Sequence, residues 1–174
     1  MSVPTAGAGA RLPRRQGLAP VIAPDARIVV LGSFPGEASL RARQYYGHPR
    51  NQFWALLGAI WGVDLVGLRY AERLAELRRR RLGLWDLYAS CRRAGSLDAA
   101  IEAARVNDLA RLQRLAPGLR LVAHNGGESA RALGRVRALG LEAVRLPSSS
   151  PANASWSFER KLDAWRVALQ RAGA

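Results

Sequence analysis

Arg27-Ile28-Val29-Val30-Leu31 runs directly into Gly32-Ser33-Phe34-Pro35-Gly36, and this junction decides the fold. The apolar run has the length of a strand buried on both faces. Two glycines and a proline then make a tight loop whose backbone can approach a ligand closely. No Gly-Lys-Ser/Thr follows, so this is not a lysine-containing phosphate loop. The GxGxxG dinucleotide fingerprint is absent as well. Taken alone, the loop reads equally as a simple turn.

Outward from this junction the chain alternates short apolar runs with helical patterns. Phe53, Trp54, Leu56, Leu57 and Ile60 give residues 51–60 helical spacing, and residues 70–80 form a second helix. Residues 84–88, 119–123 and 143–146 read as three further strands. Ser96 and Asn107 have the type and position of N-caps for two intervening helices. Residues 128–139 form another helix, and residues 158–172 close the chain as an amphipathic one. Strands separated by helices predict an α/β protein with a parallel sheet covered on both faces. Ligands bind such sheets at the carboxyl ends of the strands. Those ends carry Gly32 to Gly36, then Ser90, then His124-Asn125-Gly126, then Pro147 to Asn153, so the fold gathers the unusual stretches at one edge.

Composition sets the outer limits. The chain has 174 residues, 49% of them apolar, which is enough for one domain with a real core. Residues 1–25 hold Pro4, Pro13, Pro20 and Pro24 and a basic stretch at Arg11, Arg14 and Arg15, and read as a flexible tail. Residues 26–174 form a single domain. No apolar run approaches the roughly 20 residues that span a bilayer, and the N-terminus lacks a secretory signal pattern. A cytoplasmic monomer with no membrane partner is expected, nucleoid-associated when on DNA. Cys91 is the only cysteine, which excludes a disulfide framework, a multi-cysteine zinc site and a four-cysteine cluster. It reads as a buried small hydrophobe. A net charge of +14 favours a polyanionic partner, nucleic acid first. Lys161 is the only lysine, so the excess is almost all arginine, which a codon bias would supply equally well.

The most specific stretch is Tyr45-Tyr46-Gly47-His48-Pro49-Arg50-Asn51-Gln52-Phe53-Trp54. Asn51 can act as the N-cap of the helix that follows. Phe53 and Trp54 fit the core, and His48 fits either a structural or a functional role. This stretch, with Leu31 to Gly36, Ser90 to Asp98, Asn125-Gly126 and Leu146 to Ala154, resembles the hypoxanthine-DNA glycosylase family, a branch of the uracil-DNA glycosylase superfamily. The five motifs occur in order, and the resemblance runs from about residue 26 to 170. Residues 46–54 are also similar to the F-x-H-P-x-N-x-F-W pattern of mismatch-specific uracil glycosylases. The resemblance implies a three-layer α/β/α sandwich around a four-stranded parallel sheet.

Two positions depart from the classical uracil enzymes. Most branches place Asp or Asn before the proline of the first motif, to handle the attacking water, whereas this chain has Phe34. The hypoxanthine branch is similarly apolar there and is thought to use the asparagine that Asn51 matches. Leu146-Pro147-Ser148 replaces the histidine-proline-serine motif, so no histidine there can stabilise a uracil anion.

The resemblance and the chemistry together imply roles for particular residues. An enzyme acting on a base in duplex DNA must extrude it, at a cost of a few kcal/mol. It needs a stacking face, polar groups for the base edge and a wedge for the gap. Tyr46 is the expected stacking face, with Gly32, Ser33, Phe34 and Gly36 around the base. Asn125 is the expected reader of the base edge, since an amide offers both donors and an acceptor. Pro151, Ala152 and Asn153 form the expected wedge, with Ser148, Ser149 and Arg50 at phosphates. Asn51 is expected to hold the water that attacks the sugar, and His48 or His124 to assist the departing purine. No lysine lies in a motif, which argues against a Schiff-base step, and no metal or organic cofactor is implied. Uracil or xanthine as substrate, or a non-catalytic module that binds DNA or abasic sites, stays open as an alternative.

Overall fold

The computed structural model describes residues 11–173. Its strands are β1 (Arg14–Gln16), β2 (Ile28–Gly32), β3 (Leu82–Asp86), β4 (Tyr88–Arg92), β5 (Glu102–Val106), β6 (Leu121–Asn125) and β7 (Glu142–Leu146). Its helices are α1 (Glu37–Ala42), α2 (Phe53–Trp61), α3 (Tyr70–Arg79), α4 (Arg111–Leu115), α5 (Gly127–Ala130), α6 (Leu133–Ala138) and α7 (Phe158–Arg171). Four strands form a parallel sheet in the order β3-β2-β6-β7.

The apolar run after Arg27 explains the layering. Successive strand side chains point to opposite faces. Ile28 and Val30 therefore enter one core with Phe53, Leu57, Leu77 and Trp165 of α2, α3 and α7. Val29 and Leu31 enter the other, with Leu112 and Val136 of α4 and α6. All four are fully buried, and each such side chain stabilises the fold by roughly 1.5–3 kcal/mol. Cys91 is fully buried too, as its composition-level reading expected.

The second sheet was not foreseen. β1, β4 and β5 form a three-stranded antiparallel sheet. The strand expected at residues 84–88 instead ends at Asp86, and after Leu87 the chain enters β4. The backbone N–H groups of Leu87 and Tyr88 donate to the carbonyls of Gly32 and Ser33, which fastens this crossing to the first loop.

The tail expected over residues 1–25 does not extend through residues 14–21. β1 pairs with β4, and Val21 pairs with Leu84 across an antiparallel bridge. Residues 14–21 therefore belong to the folded body, and residues 1–10 lie outside the described residues.

Other boundaries also shift. Ser96 caps no helix of its own: its Oγ accepts the N–H of Glu37, the first residue of α1, at 3.0 Å. Where a helix was expected after it, a short 3-10 turn (Asp98–Ala100) leads into β5. Asn107 is not a cap either. Its Nδ2 donates to the Asp86 carbonyl, while Asp108 Oδ1 accepts from Ala110 ahead of α4. The helix expected at residues 128–139 breaks into α5 and α6. Ser157 caps α7 by accepting from Arg160 N–H.

Candidate active site

The carboxyl ends of β2, β3 and β6, with the loops after β2 and β7, enclose a cavity of about 680 Å³. Each of the five sequence motifs contributes lining residues, so the expected convergence is found. In-register pairing sets Gly32 beside Asp86 and Asn125 beside Leu146. A methyl group on Gly32 would collide with Asp86 Oδ1, so only glycine lets the carboxylate lie this close to β2.

Asp86 is the residue that sequence reading missed. It is 5% exposed, lines the cavity, and its Oδ2 has no hydrogen-bond partner among the described residues. Burial pushes its carboxyl up to about 7 from the ordinary 3.8; the nearby charge of Asp98 adds to the rise and Arg93 opposes it. A raised carboxyl stabilises the fold fully below its unfolded value, and that contribution is lost as pH rises through about 7. The available signal was an acidic residue ending an otherwise apolar strand, Leu84-Trp85-Asp86.

The first loop is held by a second carboxylate, which lines the cavity mouth. Ser33 Oγ donates to Asp98 Oδ1 at 2.6 Å, and Asp98 is also pushed up by burial. Arg93 donates to the carbonyls of Pro35 and Gly95 and lies 5.2 Å from the Phe34 ring centre. Phe34 is buried and serves both as a cavity wall and as core. Gly36 precedes α1 with its would-be Cβ 3.4 Å from Ser96 Oγ. Arg93 and Asp98 both fall within the Ser90 to Asp98 motif, where the sequence alone assigns them no role.

The aromatic loop between α1 and α2 is pinned by its own polar tips. Tyr45 N–H donates to the Tyr70 hydroxyl, Trp54 Nε1 donates to the Tyr45 carbonyl, and the Tyr45 hydroxyl donates to the Ala19 carbonyl. Tyr46 is held at a φ of 54°, a left-handed conformation that costs a non-glycine residue roughly 1–2 kcal/mol. Its ring stacks on Phe53, centroids 3.9 Å apart and planes 18° apart. Tyr46 thus lines the cavity with Phe53 behind it. Burial, with the charge of Asp86, pushes its hydroxyl above the ordinary tyrosine range.

Asn51 and His48 both line the cavity. Asn51 Oδ1 accepts the N–H of Phe53 at 3.0 Å, but the N-cap position of α2 belongs to Gln52, so Asn51 braces the turn ahead of the helix rather than capping it. An amide oxygen has two lone pairs, and the Nδ2 group adds two donors, leaving capacity for a water. His48 Nδ1 accepts the Arg50 N–H at 3.1 Å, which places the proton of the neutral ring on Nε2. His124 is not available. It is fully buried on β6, and its Nδ1 donates to Ser129 Oγ, which itself donates to the Leu31 carbonyl. Burial lowers its pKa.

Asn125 does not present a free amide. Its Nδ2 donates to the Tyr46 hydroxyl and to Ser149 Oγ, and its Oδ1 accepts the Ser149 N–H. It ties β6 to the aromatic loop and to the loop after β7, and with both donors engaged it is poorly placed to read a base edge. Ser149 is 1% exposed, so its hydroxyl cannot reach a phosphate as expected. Its carbonyl also accepts from Gln52. Ser148 remains half-buried at the rim and caps the turn by accepting from Ser150 N–H. Pro151 and Ala152 are exposed at the tip, but Asn153 folds back, donating to the Ser148 carbonyl and accepting from Ser155. The expected three-residue wedge therefore shrinks to a two-residue tip braced by Asn153. Gly126, at a φ of 96° with its would-be Cβ 3.0 Å from Ser148 Cβ, packs the β6 turn against that loop. Arg50 is exposed at the same mouth. Lys161, buried on α7, donates to Gln52 Oε1 at 2.8 Å and does not line the cavity. Among the described residues, no three His, Cys, Asp or Glu side chains converge as a metal site.

A family model described as the uracil DNA glycosylase superfamily matches residues 19–171. A protein from Methanosarcina barkeri named hypoxanthine DNA glycosylase is 42% identical over 158 residues, which cover 91% of this chain and 99% of that one. A Methanosarcina acetivorans protein of the same name is 37% identical over 156 residues, 90% and 98% of the two chains. The solution NMR structure of a Methanosarcina acetivorans protein, named as a candidate uracil DNA glycosylase, superposes with a TM-score of 0.83 at 35% identity. That match covers 92% of this chain and 99% of the other.

Proposed function

This chain belongs to the uracil-DNA glycosylase superfamily, and from that membership we propose that it excises hypoxanthine from DNA as a monofunctional glycosylase. The observation that carries the reading is the single cavity into which all five motifs run. Both curated relatives named above bear the hypoxanthine name and align along nearly their whole length. Phe34 at the usual water-handling position, and Leu146 where the classical uracil enzymes have histidine, weigh against uracil as the main substrate.

In this reading the damaged nucleotide leaves the stack and its base enters the cavity beside Tyr46. The bond from C1′ to the purine nitrogen breaks with its electron pair going to the base. Asn51 holds the water that adds to C1′, and the surplus proton of that water passes to bulk solvent as the C1′ hydroxyl forms. His48 Nε2–H is the donor available to the departing purine. Fixed groups of this kind contribute on the order of 10²–10³ each. Lys161 lies outside the cavity, so the product is an abasic site left in an intact strand.

A panel of duplexes, each with one deaminated base, tests the reading under single-turnover conditions with alkaline cleavage. Hypoxanthine is expected to be released at least about tenfold faster than uracil or xanthine. A faster uracil rate would transfer the assignment to the uracil branch, and tight binding with no release of any base would make this a binding module.

Affinity for DNA is expected to fall steeply with salt. Each phosphate neutralised contributes roughly −0.9 to the log–log slope, so four contacts give about −3.6. A slope near zero would mean that the +14 charge is compositional. No helix is long and apolar enough to cross a membrane among the described residues.

A further inference from the structure

With the Asn125 amide engaged by Tyr46 and Ser149, the cavity needs another group to meet the base edge. We propose that the Asp86 side chain, in its protonated form, makes that contact, pairing with the adjacent N–H and C=O of the deaminated base. The inference rests on the excision reading above and names the contact within it.

Three observations converge on Asp86. It stands at the carboxyl end of β3, beside Gly32, at the floor of the cavity. Its carboxyl packs against the bare Gly32 backbone, and the Tyr46 hydroxyl approaches the same face of that glycine, 3.4 Å from its would-be Cβ. Its Oδ2 is buried and unpartnered among the described residues. A buried polar atom without a partner costs roughly 1–3 kcal/mol, and a ligand that satisfies it recovers that loss.

The chemistry of the partner follows. Hypoxanthine presents N1–H beside C6=O on one edge. A neutral carboxyl offers one O–H donor and one C=O acceptor. The two sets close a pair of antiparallel hydrogen bonds. An ionised carboxylate could still accept from N1–H but would repel O6, so only the protonated form fits both positions. The surroundings favour that form. Asp98 faces Asp86 from the 3-10 turn after β4, and Tyr45 and Tyr46 face it from the aromatic loop. Arg93 is the one cation acting on it, and burial outweighs it. As bond breaking places charge on the base, the carboxyl O–H stays hydrogen-bonded to O6, where that charge spreads.

The test compares single-turnover hypoxanthine release by the wild type, Asp86→Asn and Asp86→Leu from pH 6 to pH 9. An asparagine amide keeps one acceptor and adds donors at every pH, so other titrations, including that of the substrate, cancel in the ratio of wild type to Asp86→Asn. That ratio is expected to fall about tenfold for each pH unit above about 7. Asp86→Leu, folded by its melting temperature, is expected to lose at least about 10²-fold at pH 6. A flat ratio, or a folded Asp86→Leu with near-normal release, would overturn the proposal while hypoxanthine excision stands. A wild type that releases no hypoxanthine at any pH would overturn the function, and this inference with it.

Discussion

Asn51→Ala is expected to slow hypoxanthine release by about 10²-fold or more under single-turnover conditions, with little change in DNA affinity. Phe34 leaves no water-handling side chain in the first motif, and Asn51 lines the same cavity. Its oxygen also accepts the Phe53 N–H, so the substitution removes a hydrogen bond ahead of α2 worth about 1 kcal/mol. Asn51→Ser separates the two roles. Its hydroxyl can retain the helix contact, but it cannot hold an acceptor at the amide's reach. The serine variant should therefore recover melting temperature without recovering rate. Recovery of both would reduce Asn51 to a structural brace of the turn before α2.

Replacing Pro151 and Ala152 with glycine is expected to slow excision from duplex DNA by about 10-fold to 10²-fold and from single-stranded DNA far less. The loop leaves β7 at the cavity rim, and its exposed tip is small and stiffened by proline. Asn153 is left in place because it braces the turn through the Ser148 carbonyl. Opening a stacked pair costs a few kcal/mol that a single strand does not demand, so a wedge matters only where that cost exists. Equal losses on the two substrates, in a folded variant, would assign the loop to cavity shape.

The parallel sheet was legible because its strands are uninterrupted apolar runs closed by Gly-rich or polar loops, as at Ile28 to Gly32. The cavity was legible because loops after parallel strands meet at one edge. The roles of single polar residues were less so. Asn125 and Ser149 look alike in sequence whether they face a ligand or each other, and only the fold shows that they face each other. Asp86 was read as part of a strand because pairing and burial hide a cavity-lining carboxyl inside an apolar pattern. β5 escaped notice because all five of its residues are exposed, leaving no apolar alternation to detect. Ser96 has the chemistry of a cap and acts as one, but for a helix 59 positions earlier in the chain, a partnership that local spacing cannot reveal.

In the proposed reaction this cavity cuts a purine from its sugar and leaves the strand intact. The most direct measurement incubates excess protein with an inosine-containing duplex and analyses both products, the small molecule by mass spectrometry and the strand before and after alkali. Free hypoxanthine is expected in step with an alkali-labile site, with an uncut strand before alkali. Inosine left in the duplex after many binding lifetimes, or a strand cut with the base still attached, would contradict it.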